Sequence, residues 1–413
     1  MAGIKETLAA RNEKKEVIYY STGLDLLDLC IGGGEGFGLK SGYIYNFVGD
    51  KSAGKTFLAI ETLVANKHRF GKSFHPNHDD AESGCTFDTV GMYGMDLYGS
   101  KPPRKSNTVE EMDANLACWL DEIEQDPGIY VVDSLDGLSS EDKEERADVR
   151  QALMEKGKAV EDSGSFGMGS AKFLSQEFFK TKAGAINNTK AVLIIVSQVR
   201  TNLEPGLYKP KYSRSGGKAL DFYAHTCLWL TTIRKIIRKV EGEERIVGAY
   251  VQAETKKSKT ARPYRKVRFS LYFDYGMDNI GSNIDYLFDL RNDDGSIRET
   301  PASAIAWSGK ACTFQDMIQW LKDNDAYEMA KEFKRAETGK AALNQEWVSA
   351  YIQKVPALKE KLEEDYGVTM TRDQIIDMCE TDPEKAAELT ARVRAKWEGI
   401  EESMLSNRKP KYA

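Results

Sequence analysis

No stretch of the 413-residue sequence is long and apolar enough to span a bilayer. Met1 to Lys15 is polar and charged, without the apolar centre of a secretory signal. Both absences lead to the expectation of a cytoplasmic protein with no membrane partner. Cysteine is sparse. Six residues (Cys30, Cys85, Cys118, Cys227, Cys312, Cys379) lie without close pairs, which argues against a zinc site or a disulfide framework and fits a reducing compartment. Histidine is scarcer still, with four, and the only metal-like cluster is His75-Pro76-Asn77-His78-Asp79-Asp80. No further ligands are arranged nearby, so this run reads as an exposed polar turn. There is no internal repeat and no long low-complexity segment. A surplus of positive charge is also missing. The formal net charge of −6 excludes a simple nucleic-acid sponge.

What is present is unevenly placed. Residues 285–413 hold 19 basic and 25 acidic side chains, which accounts for the whole net charge. Two basic islands sit inside the chain. Arg200, Lys209, Lys211, Arg214 and Lys218 face a single acid, Glu204, within 200–218, and residues 256–268 hold seven basic residues and no acid. The length exceeds one ordinary core, so two or three domains are expected.

Residues 49–56 read Gly-Asp-Lys-Ser-Ala-Gly-Lys-Thr after the apolar run Tyr43–Val48. Strand, glycine-rich loop and helix in that order form a phosphate cradle from Gly49, Asp50, Lys51, Ser52, Ala53, Gly54, Lys55 and Thr56. Gly49 and Gly54 let successive N–H groups face inward. Lys55 reaches the outer phosphates, and the Thr56 hydroxyl can hold Mg²⁺. The helix start, predicted over 56–70, adds partial positive charge. ATP and Mg²⁺ are the ligands this pattern predicts.

Further strands are predicted over 128–133, 191–198, 226–233, 249–253 and 267–273, and helices over 24–30, 112–124, 141–162 and 173–179. Ser21-Thr22-Gly23 reads as the cap of the helix at 24–30. The alternation through 17–285 predicts a mostly parallel central sheet flanked by helices. Near residue 285 the pattern changes to short amphipathic helices around Trp307, Trp320, Trp347 and Trp397, a smaller, helix-rich C-terminal domain. The division expected is an N-terminal arm (1–20), a core (21–285) and a C-terminal domain (286–413).

Asp133 ends an apolar strand. After a phosphate loop, an acid at this place holds magnesium, usually through water; the alternative is a cap for the turn at 134–138. Asp79-Asp80-Ala81-Glu82-Ser83 offers acids to polarise an attacking water, although spacing alone reads as a solvated loop. Gln198 ends a buried strand, where it can hydrogen-bond a terminal phosphate or simply close the strand.

Several segments together resemble the bacterial RecA recombinases and their phage relatives. They are Ser21–Asp28, the phosphate loop, Asp80-Ala81-Glu82, Val131-Val132-Asp133-Ser134, Ser197-Gln198-Val199-Arg200 and Ser215–Ala224. Lys257-Ser258-Lys259 resembles a two-lysine segment that reaches the neighbouring subunit's ATP. The resemblance covers residues 17–285 in order. It implies a RecA-like ATPase core in which Glu82 activates water, Lys55 and Gln198 act on the phosphates, and Lys257 and Lys259 bind ATP in trans. Two DNA-binding loops are implied. Met168, Gly169 and Lys172 belong to the first, spanning 163–172, and Tyr208, Lys209, Lys211, Arg214, Gly216 and Gly217 to the second, spanning 201–217, with Arg200 as a further DNA-binding residue just before it. The cations would neutralise phosphates, and Met168 and Tyr208 would separate or stack bases.

The function so implied is a DNA-dependent ATPase and recombinase that forms helical filaments on single-stranded DNA and pairs it with homologous duplex DNA. Single-strand-binding or loading proteins would be its further partners. The alternatives are a ring helicase or motor on the same core, and a non-catalytic ATP-binding scaffold. Three features depart from the family's pattern. Pro76 is awkward in a central strand, Thr89 stands where bacterial members stack adenine on tyrosine, and the N-terminal arm is shorter.

Overall fold

The computed structural model describes residues 16–33, 36–84, 87–141, 172–201, 212–214, 217–296, 305–307, 314–338, 351, 354–366 and 369–405. The chain divides into two compact units, residues 1–232 with 237–277, and residues 233–236 with 278–413. The expected helix over 141–162 lies outside the described residues apart from its first residue.

In the larger unit, β1 (Tyr19–Tyr20) pairs antiparallel with β2 (Leu39–Lys40), and α1 (Asp25–Ile31) runs between them. The expected helix cap at Ser21-Thr22 is not what forms. The residue before α1 is Leu24, which makes no side-chain cap. Ser21 Oγ donates to Asp28 Oδ2 at 2.6 Å, and Thr22 donates to Asp28 Oδ1 from its N–H at 2.8 Å and its hydroxyl at 2.7 Å. The two residues thus bind a side chain inside the helix rather than its free N–H groups.

The main sheet starts with β3 (Ile44–Gly49), which feeds α2 (Lys55–Phe70) and then β4 (His75–Asp80). α3 (Val109–Ile123) precedes β5 (Gly128–Asp133), and α4 (Phe179–Asn187) precedes β6 (Ala191–Thr201). A π-helical turn over Leu174–Phe178 occupies most of the helix expected at 173–179. β7 (Tyr212–Arg214) and α5 (Gly217–Tyr223) follow, then β8 (Thr226–Val240), β9 (Glu243–Ser258), β10 (Lys266–Tyr272) and β11 (Gly276–Asp278). The spatial order is β11-β10-β9-β8-β3-β6-β5-β4. Strands β8, β3, β6, β5 and β4 are mutually parallel, and β9 with β10 is antiparallel. This is the mostly parallel, helix-flanked sheet expected from the alternation.

Parallel pairing needs both faces covered. On one face Met112, Leu116 and Trp119 of α3 pack with Tyr130, Val132, Leu193 and Ile195. The intervening Ile129, Val131, Ile194 and Val196 are fully buried as well. Each such side chain contributes about 1.5–3 kcal/mol of burial. The core thereby fixes the strands whose carboxyl ends carry the polar groups described below.

Residues 75–80 are a correction. The expected exposed turn is β4, the last strand in the sheet, paired with β5 in register His78↔Val131 and Asp80↔Asp133. An edge position tolerates Pro76, whose nitrogen cannot donate to a second neighbour. His78, Asp79 and Asp80 are all buried. Asp79 accepts from Ser106 N at 2.7 Å, Ser106 Oγ at 2.6 Å and the Tyr130 hydroxyl at 2.8 Å. Burial raises its pKa, and these donors oppose the rise.

β8 and β9 run well past their expected ends because Glu241 (φ 51°) and Gly242 (φ 85°) form a two-residue hairpin turn. The added residues are mostly charged and exposed, so no apolar alternation announces them.

The smaller unit is mainly helical: α6 (Asn279–Leu287), α7 (Phe314–Asp323), α8 (Tyr327–Thr338), α9 (Pro356–Tyr366), α10 (Arg372–Thr381) and α11 (Pro383–Ser403). Met317, Trp320, Leu321, Ala330 and Leu362 share a core. Asp285 holds Arg372 at 2.8 Å and Arg291 at 2.5 Å. Asp382 caps α11, accepting from Glu384 N at 2.9 Å, with Pro383 in the first turn. Trp347 lies outside the described residues.

Candidate functional site

The carboxyl ends of β3, β4, β5 and β6 bring the phosphate loop and the acids together. A Cβ at Gly49 would lie 2.7 Å from the Leu230 carbonyl oxygen, and Gly54 has φ +85°, so glycine is required at both places. Lys55 is 9% exposed, and its ammonium donates to Gly49 O at 2.9 Å and Asp50 O at 2.7 Å. Burial lowers its pKa, while Asp133, Asp50, Glu82 and Asp136 pull it back up.

Thr56 Oγ1 donates to Asp133 Oδ2 at 2.6 Å. A hydroxyl and a carboxylate in contact at the N-terminus of the 16-residue α2 fit the oxygen preference of Mg²⁺ beside phosphate. The Asp133–Ser134 peptide is cis. Glu82 Oε1 accepts from Ser134 Oγ at 2.6 Å and from Gln198 Nε2 at 2.8 Å. The Gln198 backbone N–H donates to Asp136 Oδ2 at 2.9 Å. Glu82, Ser134 and Gln198, from three separate segments, thus form one hydrogen-bonded cluster.

Lys55, Thr56, Glu82 and Asp133 border a cavity of about 490 Å³. Among its lining residues Asp80, Glu82, Asp88 and Asp133 are acidic, and Lys55 is basic. Its apolar wall includes Phe57, Phe87, Met92 and Phe273. The Phe57 and Phe87 rings meet edge to face at 4.5 Å, and Phe57 lies 6.3 Å from Phe273. Thr89 opens a short helix, Thr89–Tyr93, capped by Asp88.

Lys257 and Lys259 are not part of this cavity. Lys257 donates to Asp221 O and to Phe222 O (3.0 Å), and Lys259 reaches Phe222 O at 3.4 Å, so both meet the last carbonyls of α5. Lys259 N donates to His225 O at 2.9 Å, and His225 N to Ile44 O at 2.7 Å. Ile44 begins β3, whereas the phosphate loop leaves its far end. Five strand steps of about 3.3 Å separate the two, roughly 17 Å.

The RecA N-terminal domain family matches residues 5–278, about two thirds of the sequence. The chain belongs to the RecA family. Protein RecA of Synechocystis sp. is 26% identical over 64% of this chain and 67% of its own length. Protein RecA of Methylobacterium radiotolerans is 27% identical over 67% and 69%. Protein RecA of Parvibaculum lavamentivorans is 26% identical over 85% and 86%. No helix among the described residues is long and apolar enough to cross a membrane.

Of the RecA-like DNA-loop positions, Met168, Gly169, Tyr208, Lys209, Lys211 and Gly216 lie outside the described residues. Lys172 is exposed ahead of the π-helical turn. The backbones of Arg200 and Arg214 lie on paired strands, in register Val199↔Arg214 and Arg200↔Ser213, just beyond Gln198. Gly217 opens α5. His78, Asp136 and the phenylalanine cluster were missed by sequence reasoning. The Asp-Ser pair at 133–134 held a signal for Ser134; the phenylalanines, spread from 57 to 273, held none.

Proposed function

We propose that the chain is an ATP-dependent DNA recombinase that binds nucleotide at the phosphate loop and assembles on single-stranded DNA. The observation that carries this reading is the separation of Lys257 and Lys259 from the phosphate loop by the length of β3. Within one copy they serve the end of α5. In a head-to-tail stack they can serve the next copy's nucleotide. The cavity needs such help, because four acids and one lysine line it and a triphosphate adds more negative charge.

Thr56 and Asp133 would hold Mg²⁺, which when bound offsets phosphate charge. Lys55 leaves its loop carbonyls for the outer phosphates. Glu82 accepts a proton from the attacking water, and Ser134 and Gln198 orient its carboxylate through the hydrogen bonds already described. Phe87, Met92 and Phe273 offer the base an apolar surface. Gln198 responds to the terminal phosphate, and because β6 continues from it directly into the second loop, its movement alters the grip on DNA. Residues 1–20 act in assembly, and residues 286–413 regulate access of duplex DNA or partners.

Electron microscopy with a slowly hydrolysed ATP analogue, with and without single-stranded DNA, tests the reading. Helical filaments that require both, together with strand exchange, are expected. Closed rings with unwinding would replace it with a motor, and DNA-independent monomers with no turnover would replace it with a scaffold.

A further inference from the structure

His78 occupies a place that the proposed ATPase chemistry does not yet use. It sits on β4 two residues before Asp80, and the register sets it diagonally beside Asp133 of β5. Its Nε2 lies 3.3 Å from Asp133 Oδ2, the oxygen that also accepts the Thr56 hydroxyl at 2.6 Å. The side chains of His78 and Asp133 are 5% and 10% exposed, so water competes little for the contact. A carboxylate oxygen facing Nε2 favours the tautomer that carries its proton there, so that the ring donates to Asp133.

We infer that His78 is a positioning residue for the metal-binding end of the site: by donating to Asp133 Oδ2 it fixes the carboxylate plane and directs Oδ1 toward the hydration shell of Mg²⁺. The inference rests on the nucleotide-binding reading above and adds a residue to it. The physical logic is that of a partner behind a metal ligand. A carboxylate held by one flexible hydroxyl can rotate, and the hydroxyl must also turn an oxygen lone pair to the metal. A second donor from a rigid strand removes that freedom before the metal arrives. The loss of such a partner costs about 10–100-fold in metal affinity.

The test measures equilibrium binding of a fluorescent ADP analogue to the full chain across a Mg²⁺ titration, and separately in a chelator. His78→Phe keeps bulk on the edge strand but removes the donor. His78→Gln keeps an N–H donor at similar reach. The wild type is expected to bind more tightly as Mg²⁺ rises. His78→Phe should need about ten times more Mg²⁺ for the same effect, with unchanged affinity in chelator. His78→Gln should return most of the difference, and thermal melts without nucleotide should stay alike for all three. An unshifted midpoint in His78→Phe overturns the inference. Equal shifts in both variants also overturn it, because they assign the effect to packing rather than to the donor. If the wild type itself binds nucleotide with no Mg²⁺ dependence, the reading beneath falls first and the inference goes with it.

Discussion

The two ends of β3 differ in charge. At the carboxyl end, Asp50, Asp133, Glu82 and Asp136 surround one buried ammonium, Lys55. At the amino end, Lys257 and Lys259 lie beside His225. Burial and these two lysines lower the His225 pKa to about 4, so its ring stays neutral and accepts from Ile44 N at 3.0 Å. Around β3, acids therefore gather at one end and the two lysines at the other. A heterologous stack places unlike ends together, whereas a two-fold dimer through either end would join like to like.

The largest blow to the acidic end is Lys55→Ala. It leaves four carboxylates without their ammonium, and turnover should fall on the order of 10³-fold. Calorimetry should show nucleotide affinity collapsing in parallel. Retained tight binding would mean that the loop does not hold the phosphates. Glu82→Gln is expected to be next. It keeps an acceptor for Ser134 and Gln198 but loses the proton-accepting carboxylate, so phosphate release should drop about 10²-fold. DNA binding should persist, with filaments that fail to disassemble. Wild-type turnover in this variant would remove Glu82 from its role.

The basic end supplies a sharper comparison. Lys257→Ala with Lys259→Ala should lower turnover by about 10–10²-fold while leaving the phosphate loop intact. Mixed one to one with Lys55→Ala chains, about a quarter of random junctions pair an intact loop with intact lysines. Activity above that of either variant alone would place the two half-sites on different copies. Silence in the mixture would confine the lysines to their contact with α5.

How much of this was legible beforehand follows from the physics of each signal. The phosphate loop could be read because its glycines and its cation occur at fixed local spacing. β3, β5 and β6 could be read because a strand buried on both faces is almost wholly apolar. β4 could not. An edge strand with one partner need not be apolar, and His78, Asp79 and Asp80 are buried through hydrogen bonds rather than hydrocarbon contact. The Glu82–Ser134–Gln198 cluster was hidden too, since Glu82 and Ser134 lie just past β4 and β5, Gln198 lies on β6, and they meet only once the register is set. The hairpin at Glu241-Gly242 was hidden by its own charge.

The smallest expected effect contrasts the buried acid of α1 with the acids of the site. Burial pushes Asp28 from an ordinary value of 3.8 up to about 7, with Ser21 and Thr22 as opposing donors. The folded pKa lies above the unfolded one, so its contribution is fully present below the unfolded value and is lost as pH rises through the folded value. Between about pH 6 and pH 8 the wild type should lose about 1 kcal/mol relative to Asp28→Asn, which cannot ionise. In thermal melts that is a shift of a few degrees in the difference between the two proteins. The Asn oxygen still accepts, and the Ser21 and Thr22 hydroxyls can turn to accept its N–H groups, so the variant should fold. Melting curves whose difference does not change with pH would show that Asp28 is ionised throughout, held charged by its three donors in spite of burial.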